Sequence, residues 1–344
     1  MIRFATIGTN FVADWFVQAA LKISGLHYQA VYSRNSETAK AYAAKYGADR
    51  WCTSLEALAD ADDIDAVYIS SPNSFHCEQA ALMLAHGKHV LCEKTITSNE
   101  GELLRLIKLA RENGVVLMEA MRSVYEPGFL WLRDNLNRVG TIRRVSFQYA
   151  KYSSRYDKFK AGIIENAFKP ELSNGALMDI GVYCVHPMVR LFGMPKRIVA
   201  DGLFLSNGVD GAGTILAGYD GMQVDLLYSK ISDNRLPSQI QGEEGTMLID
   251  DITQIGKVTF CDRKGNEEII FERPAEYGLE WEVNEWTRLM EMGDGTEREK
   301  LLETYDKYSL MELQVMDEAR KQMGIVFPAD KNIVLEVRKN ILSF

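Results

Sequence analysis

The sequence predicts an α/β chain of two domains: an N-terminal parallel, doubly wound sheet, then an α+β domain with an open, mainly antiparallel sheet. Three observations carry this expectation. The N-terminal part alternates short β-rich runs with helical patterns, as strands joined by helical crossovers do. Beyond Met121 the rhythm changes to consecutive β-like runs with short turn-type links, which suit hairpins. A length of 344 residues exceeds what a single core sustains, so residues 1–121 are assigned to one domain and 122–344 to the other.

In chain order, the first domain's strands are expected at Ile2–Ile7, Tyr28–Tyr32, Ala66–Ile69, His89–Cys92 and Val115–Met118, with helices at Ser36–Tyr46 and Asn99–Asn113. A helical stretch at Gly128–Leu136 leads into a strand at Ile142–Ala150, then a loop and a helix. Further strands are expected at Arg197–Leu205, Gly213–Tyr219, Met222–Ser229, Gln239–Gln241, Thr246–Ile249 and Lys257–Cys261. Tyr219-Asp220-Gly221-Met222 reads as a hairpin turn. Trp281–Met292 and Tyr305–Met323 have helical spacing, and Gly324 and Pro328 supply stop signals.

With 39 Lys and Arg against 48 Asp and Glu, the net charge of −9 disfavours nucleic acid and anionic lipid as partners. The basic, aromatic stretch Arg143 to Lys160 could be read as a nucleic-acid surface. The reading preferred here is a strand with its aromatics buried, running into a polar loop. Five cysteines without a CxxC pair suit reduced thiols and a cytoplasmic protein. No uninterrupted apolar stretch suggests a membrane span. His86-Gly87-Lys88-His89 reads as a turn, and no metal-ligand set is evident.

Ile7-Gly8-Thr9-Asn10-Phe11-Val12-Ala13 lies between the first strand and the first helix, where a glycine-rich turn sets a pyrophosphate against a helix N-terminus. Gly8, Thr9, Asn10 and Phe11 are the candidate phosphate residues, with Asn10 in place of the second glycine and Ala13 in place of the third. Asn tolerates left-handed backbone, yet its side chain limits close approach to phosphate. About 25 residues after Gly8, where a ribose-reading acid belongs, the second strand ends in Tyr32-Ser33-Arg34-Asn35. Ser33 and Arg34 suit the 2′-phosphate of NADP better than the 2′-hydroxyl of NAD; NADP is the preferred cofactor, with NAD the alternative.

Two further segments, Ser71-Pro72-Asn73-Ser74-Phe75-His76 and Gly87-Lys88-His89-Val90-Leu91-Cys92-Glu93-Lys94-Thr95, resemble those of the Gfo/Idh/MocA oxidoreductases. The resemblance extends through Asn174 to His186 and to the terminal helix. It implies a Rossmann domain followed by an open antiparallel sheet, and cofactor contacts from Ser71, Pro72, Asn73, His76, Glu93 and Lys94, the lysine approaching the nicotinamide. The pattern is most similar to the dimeric dihydrodiol dehydrogenase and sugar 1-dehydrogenase branch, with a tyrosine where the inositol dehydrogenase branch has histidine. A homodimer or higher homo-oligomer is expected on the same ground. Besides Asn10, two departures stand out. Thr95 replaces the proline of Glu-Lys-Pro, and Arg122-Ser123-Val124 replaces a Trp-x-Arg, which removes an aromatic wall and a cation.

Asp179, Tyr183 and His186 are spaced to share one helical face, and Pro187 should loosen the helix beside them. Oxidising a secondary alcohol needs a hydride acceptor and a group that takes the hydroxyl proton. Tyr183 is the candidate base. A free phenol, with a pKa of about 10, needs a nearby cation for that task, and Lys94 is assigned to it. Asp179 is expected to anchor a substrate hydroxyl or orient Lys94, and His186 to bind another hydroxyl. The expected activity is an NAD(P)-dependent dehydrogenase or reductase acting on a secondary hydroxyl or carbonyl of a sugar, polyol or cyclic diol. An idle dinucleotide sensor and a glycosidase with tightly held NAD are the competing expectations.

Overall fold

The computed structural model describes residues 1–274, 278–293 and 295–331. The chain divides into two compact units, Met1–Ala120 with Tyr277–Leu310, and Met121–Glu276 with Met311–Phe344.

The first unit holds a six-stranded sheet of β1 (Ile2–Ile7), β2 (Leu26–Tyr32), β3 (Arg50–Cys52), β4 (Ala66–Ile69), β5 (His89–Glu93) and β6 (Leu117–Ala120). The strands run in the order β3-β2-β1-β4-β5-β6, and every pairing is parallel. All four residues of β4 and of β6 are buried, as befits strands covered on both faces. Helices α1 (Phe11–Ala20), α2 (Ser36–Tyr46), α3 (Leu55–Ala59), α4 (His76–Ala85) and α5 (Glu100–Glu112) connect them. Asparagines start three of these helices. Asn10, Asn35 and Asn99 each accept backbone N–H groups of the first turn through the side-chain oxygen, satisfying donors that the helix leaves without partners. The strand order reverses between β1 and β4, so the segments after these strands meet at the switch point where doubly wound sheets bind ligands.

The second unit contains α6 (Pro127–Asp134), β7 (Ile142–Ala150), α7 (Tyr156–Lys160), a π-helical turn at Leu177–Gly181, α8 (Val182–Phe192) and strands β8 to β14. Those strands are β8 (Arg197–Phe204), β9 (Asp210–Tyr219), β10 (Met222–Ser229), β11 (Ser238–Gly242), β12 (Gly245–Ile249), β13 (Lys257–Asp262) and β14 (Glu267–Glu272). They form one sheet in the order β14-β13-β12-β11-β7-β10-β9-β8. Only β7 and β10 pair in parallel; the rest are antiparallel. The expected hairpin joins β9 to β10, with Gly221 at φ 70° and Met222 opposite Tyr219. Helix α8 packs on β7 and β10, covering Val145, Phe147, Val224 and Leu226, all at 0% exposure.

Helix α9 (Glu280–Glu291) belongs to the first unit, and α10 (Thr296–Met323) runs from the first unit into the second. Trp286 of α9 is fully buried beside Phe16 of α1, with ring centroids 6.2 Å apart. Strand β3, helix α3 and strand β14 were not expected from sequence. The first two are very short, and β14 (EEIIFE) is an acidic edge strand with little burial.

Candidate active site

At the switch point, Gly8 follows β1 with φ 117°. A Cβ there would stand 2.5 Å from Ser70 Oγ, so both backbone angle and space call for glycine. Asn10 is extended, with φ −84° and ψ 177°, and does not use the left-handed conformation that asparagine tolerates. Its Oδ1 accepts the Val12 and Ala13 amides at 3.0 Å, and its Nδ2 donates to Ser70 O at 2.7 Å. The side chain that departs from the glycine pattern thus ties helix α1 to the end of β4. Thr9 completes the turn, and Phe11 opens α1 with its ring edge-on to Trp15 at 5.0 Å. Ser33 and Arg34 directly precede the Asn35 cap of α2. Arg34 is exposed, and among the described residues its guanidinium has no ion-pair partner.

Ser71, Pro72 and Asn73 follow β4, and Glu93 and Lys94 follow in β5 and the turn after it. Ser71 Oγ donates to Gln79 Oε1 at 2.6 Å. His76 is fully buried, with Nε2 at 2.8 Å from Ser71 O and Nδ1 at 3.0 Å from Thr95 O. Burial holds its pKa below the ordinary value, so the ring carries one proton and can donate to one carbonyl at a time. It braces the Ser71 loop against the Lys94 turn from behind. Tyr68 donates to Glu93 Oε1 at 2.5 Å; burial and the Glu93 and Glu282 charges push that phenol well above its ordinary pKa, keeping it a donor. Lys94 is half-buried, and its peptide bond to Thr95 is cis. Next to this turn, Glu119 of β6 accepts from Ile96 N at 3.0 Å and from Ser309 Oγ at 2.6 Å.

In the second unit, the residues expected on one helical face have three separate environments. Asp179 lies in the π turn, where the residues-per-turn differ from the α spacing used to predict its face. Its carboxylate meets Lys230 Nζ at 2.8 Å. Tyr183 is half-buried on α8, with the Tyr149 ring edge-on at 5.6 Å and the Arg122 guanidinium 5.7 Å from its ring centroid. His186, expected to bind a substrate hydroxyl, is only 3% exposed and pairs through Nδ1 with Glu312 Oε2 at 2.6 Å. Burial, with Arg190 adding to it, holds its pKa well below the ordinary value, so the neutral ring donates to Glu312. Pro187 sits within α8; the departure from α geometry lies before Tyr183, in the π turn.

The Arg122-Ser123-Val124 segment, expected to lack the cation of the Trp-x-Arg pattern, still brings a cation to Tyr183. Arg122 itself supplies one. Its Nη1 is 3.5 Å from Glu126 Oε1, and Arg273 pairs with the other carboxylate oxygen. Burial pushes the Glu126 carboxyl up to about 7 against the pull of both guanidiniums. At the start of the π turn, Asp210 Oδ2 accepts from Leu177 N at 2.6 Å, and burial raises its pKa to about 6.

Sequence reasoning overlooked Tyr68, Glu119 and Lys230. The last two were visible as charged residues in or directly after largely apolar strand runs, LMEA and MQVDLLYSK, a placement that demands a partner.

The model for the oxidoreductase family with an NAD-binding Rossmann fold matches residues 2–121, and the model for the GFO/IDH/MocA C-terminal domain matches residues 135–248. The scyllo-inositol 2-dehydrogenase (NADP(+)) IolU of Bacillus subtilis (strain 168) is 47% identical over 331 residues, spanning 96% of this chain and 100% of that protein. The chain belongs to the Gfo/Idh/MocA oxidoreductase family. The trans-1,2-dihydrobenzene-1,2-diol dehydrogenase of Xenopus tropicalis is 28% identical over 338 residues, covering 92% of this chain and 96% of its own. Among solved structures, the 3-ketoreductase KijD10 of Actinomadura kijaniata, in complex with NADP and TDP-benzene, superposes with a TM-score of 0.83 at 22% identity, over 95% of this chain and 99% of that one. The two share a fold.

Proposed function

We propose that this protein is an NADP-dependent dehydrogenase that reversibly oxidises a secondary ring hydroxyl of a cyclic polyol of the inositol type. The observation that carries the chemistry is the pairing, on successive helical turns, of a carboxylate held by a buried ammonium with a half-buried phenol beside a guanidinium. Relatives acting on scyllo-inositol and on a cyclic diol support the substrate class.

The Gly8 turn, which leaves no room for a Cβ, and the start of α1 fit a pyrophosphate; Arg34 and Ser33 fit a 2′-phosphate. Bound NADP supplies the hydride acceptor. Asp179 accepts a hydrogen bond from a substrate hydroxyl and fixes the ring. Tyr183 takes the hydroxyl proton as the carbonyl forms and returns it in the reverse direction. Lys94 orients the reacting hydroxyl and favours its deprotonation. His76 and Glu119 hold the turn that presents Lys94.

A screen of inositol isomers and other cyclic polyols with NADP and NAD, read at the nicotinamide absorbance, tests the reading. Turnover with NADP is expected, and Arg34→Asp should shift the preference toward NAD by replacing the guanidinium proposed to answer a 2′-phosphate. Cofactor binding without turnover on any polyol would favour a sensor. A held NAD recycled without net consumption would favour a glycosidase.

A homo-oligomer is part of the proposal. Val199 and its cross-strand partner Leu216 are 48% and 40% exposed, with Leu227 at 45% on neighbouring β10, an apolar patch of the kind that seeks cover. Leu216→Asp should yield a smaller species in sedimentation, and an unchanged sedimentation coefficient would remove this face from consideration. A cytoplasmic location is proposed too, since all five cysteines are free thiols. No helix among the described residues is long and apolar enough to cross a membrane.

A further inference from the structure

Lys230 follows β10 and is 1% exposed. An ammonium so far from water needs compensation from every side, and it has three sources. Its Nζ lies 2.8 Å from Asp179 Oδ2, donates to Ala167 O at 2.7 Å and stands 4.7 Å from the centroid of the Phe168 ring. The backbone of the same residue is also engaged: its N–H donates to Gly211 O, and its C=O accepts from Ser153 N, both at 2.8 Å. Asp179 remains one-third exposed on its side chain. One carboxylate oxygen is therefore held by a buried charge on a side chain that keeps part of its surface in solvent. The same ammonium acts electrostatically on the buried Asp210 carboxyl, which anchors the first turn of the π segment through Leu177 N.

We infer that Lys230 is a positioning residue that holds the Asp179 carboxylate ionised and aimed, and that couples it to the segment from Ser153 to Phe168. This rests on the proposed function, in which Asp179 binds a substrate hydroxyl. Ala167 and Phe168 lie in the loop and 3-10 turns between β7 and the π turn, so displacement of that segment is felt at Asp179 through one side chain. A lysine kept at this depth for stability alone would be a poor solution, because apolar residues of similar volume do as well or better than buried ion pairs.

The test is a double-mutant cycle on the full-length enzyme with the polyol found in the screen. Lys230→Met, which keeps the chain volume and the Phe168 contact, should lower kcat at least about tenfold with NADPH affinity unchanged. Asp179→Asn should lower it by as much or more. If Lys230 acts through Asp179, the double variant is no slower than Asp179→Asn to within about threefold, because the second change has nothing left to disturb. A multiplied loss, or wild-type kcat in Lys230→Met, overturns the inference while leaving Asp179 in place. Wild-type turnover in Asp179→Asn instead removes Asp179 from the proposed reaction. If Lys230→Met does not give folded protein by circular dichroism, the cycle is read with Lys230→Gln, which keeps a donor for Ala167 O, and the same outcomes decide.

Discussion

Replacing Tyr183 with phenylalanine is expected to lower turnover by about 10²–10⁴-fold, the usual contribution of a positioned acid or base, with NADPH affinity unchanged. The substitution deletes one oxygen and retains the ring between Tyr149 and the Arg122 guanidinium, so α8 should keep its place. Tyr183 lies in the second unit and the proposed dinucleotide turn in the first, which is why the cofactor titration should not move. Loss confined to kcat would mark a group acting in the transition state. Retained turnover would transfer the proton to another group, and equal loss of NADPH binding would indicate a general structural defect.

The Gly8→Ala variant should bind NADPH at least about tenfold more weakly, a loss of about 1.4 kcal/mol, because the turn must shift to admit a side chain. Here the new Cβ meets Ser70 Oγ at 2.5 Å. Relief requires the turn to move away from β4, which would strain the Asn10 to Ser70 bond and shift the start of α1 with it. Gly47→Ala is the control: its φ is 74°, but nothing lies within 4 Å of the added Cβ. It should lower the melting temperature and leave NADPH affinity alone. Were fluorescence titration to give both variants wild-type affinity, the β1–α1 turn would not be the seat of the cofactor.

Much of this architecture was legible because its causes are local. Ala66–Ile69 reads as a continuous apolar run because both faces of the parallel sheet are covered, and the strand has those bounds. Asn99 before Glu100-Gly101-Glu102 marks a helix start by its side-chain chemistry, and Asn99 caps α5. Less legible was α10, which begins at Thr296 rather than Tyr305. Its first turns are rich in charge, so the apolar periodicity there is weak. The site divides along the same line. Gly8 and Arg34 announce themselves by position after a strand. For His186, helical spacing indicated a face but could not say what that face meets, and Glu312 is 126 residues away.

The sequence by itself determined the strand and helix alternation, the glycine turn after β1, the family resemblance and the identity of Lys94, Asp179 and Tyr183 as candidates, since these depend on periodicity, capping and motifs within a few residues. Tertiary structure alone decided the return of Tyr277–Leu310 to the first unit, the burial of His186 against Glu312, the placement of Arg122 over the Tyr183 ring and the ion pair from Lys230 to Asp179. The physical reason is that burial and charge pairing are properties of side chains distant in sequence, whose energies depend on which neighbours the fold supplies in place of water.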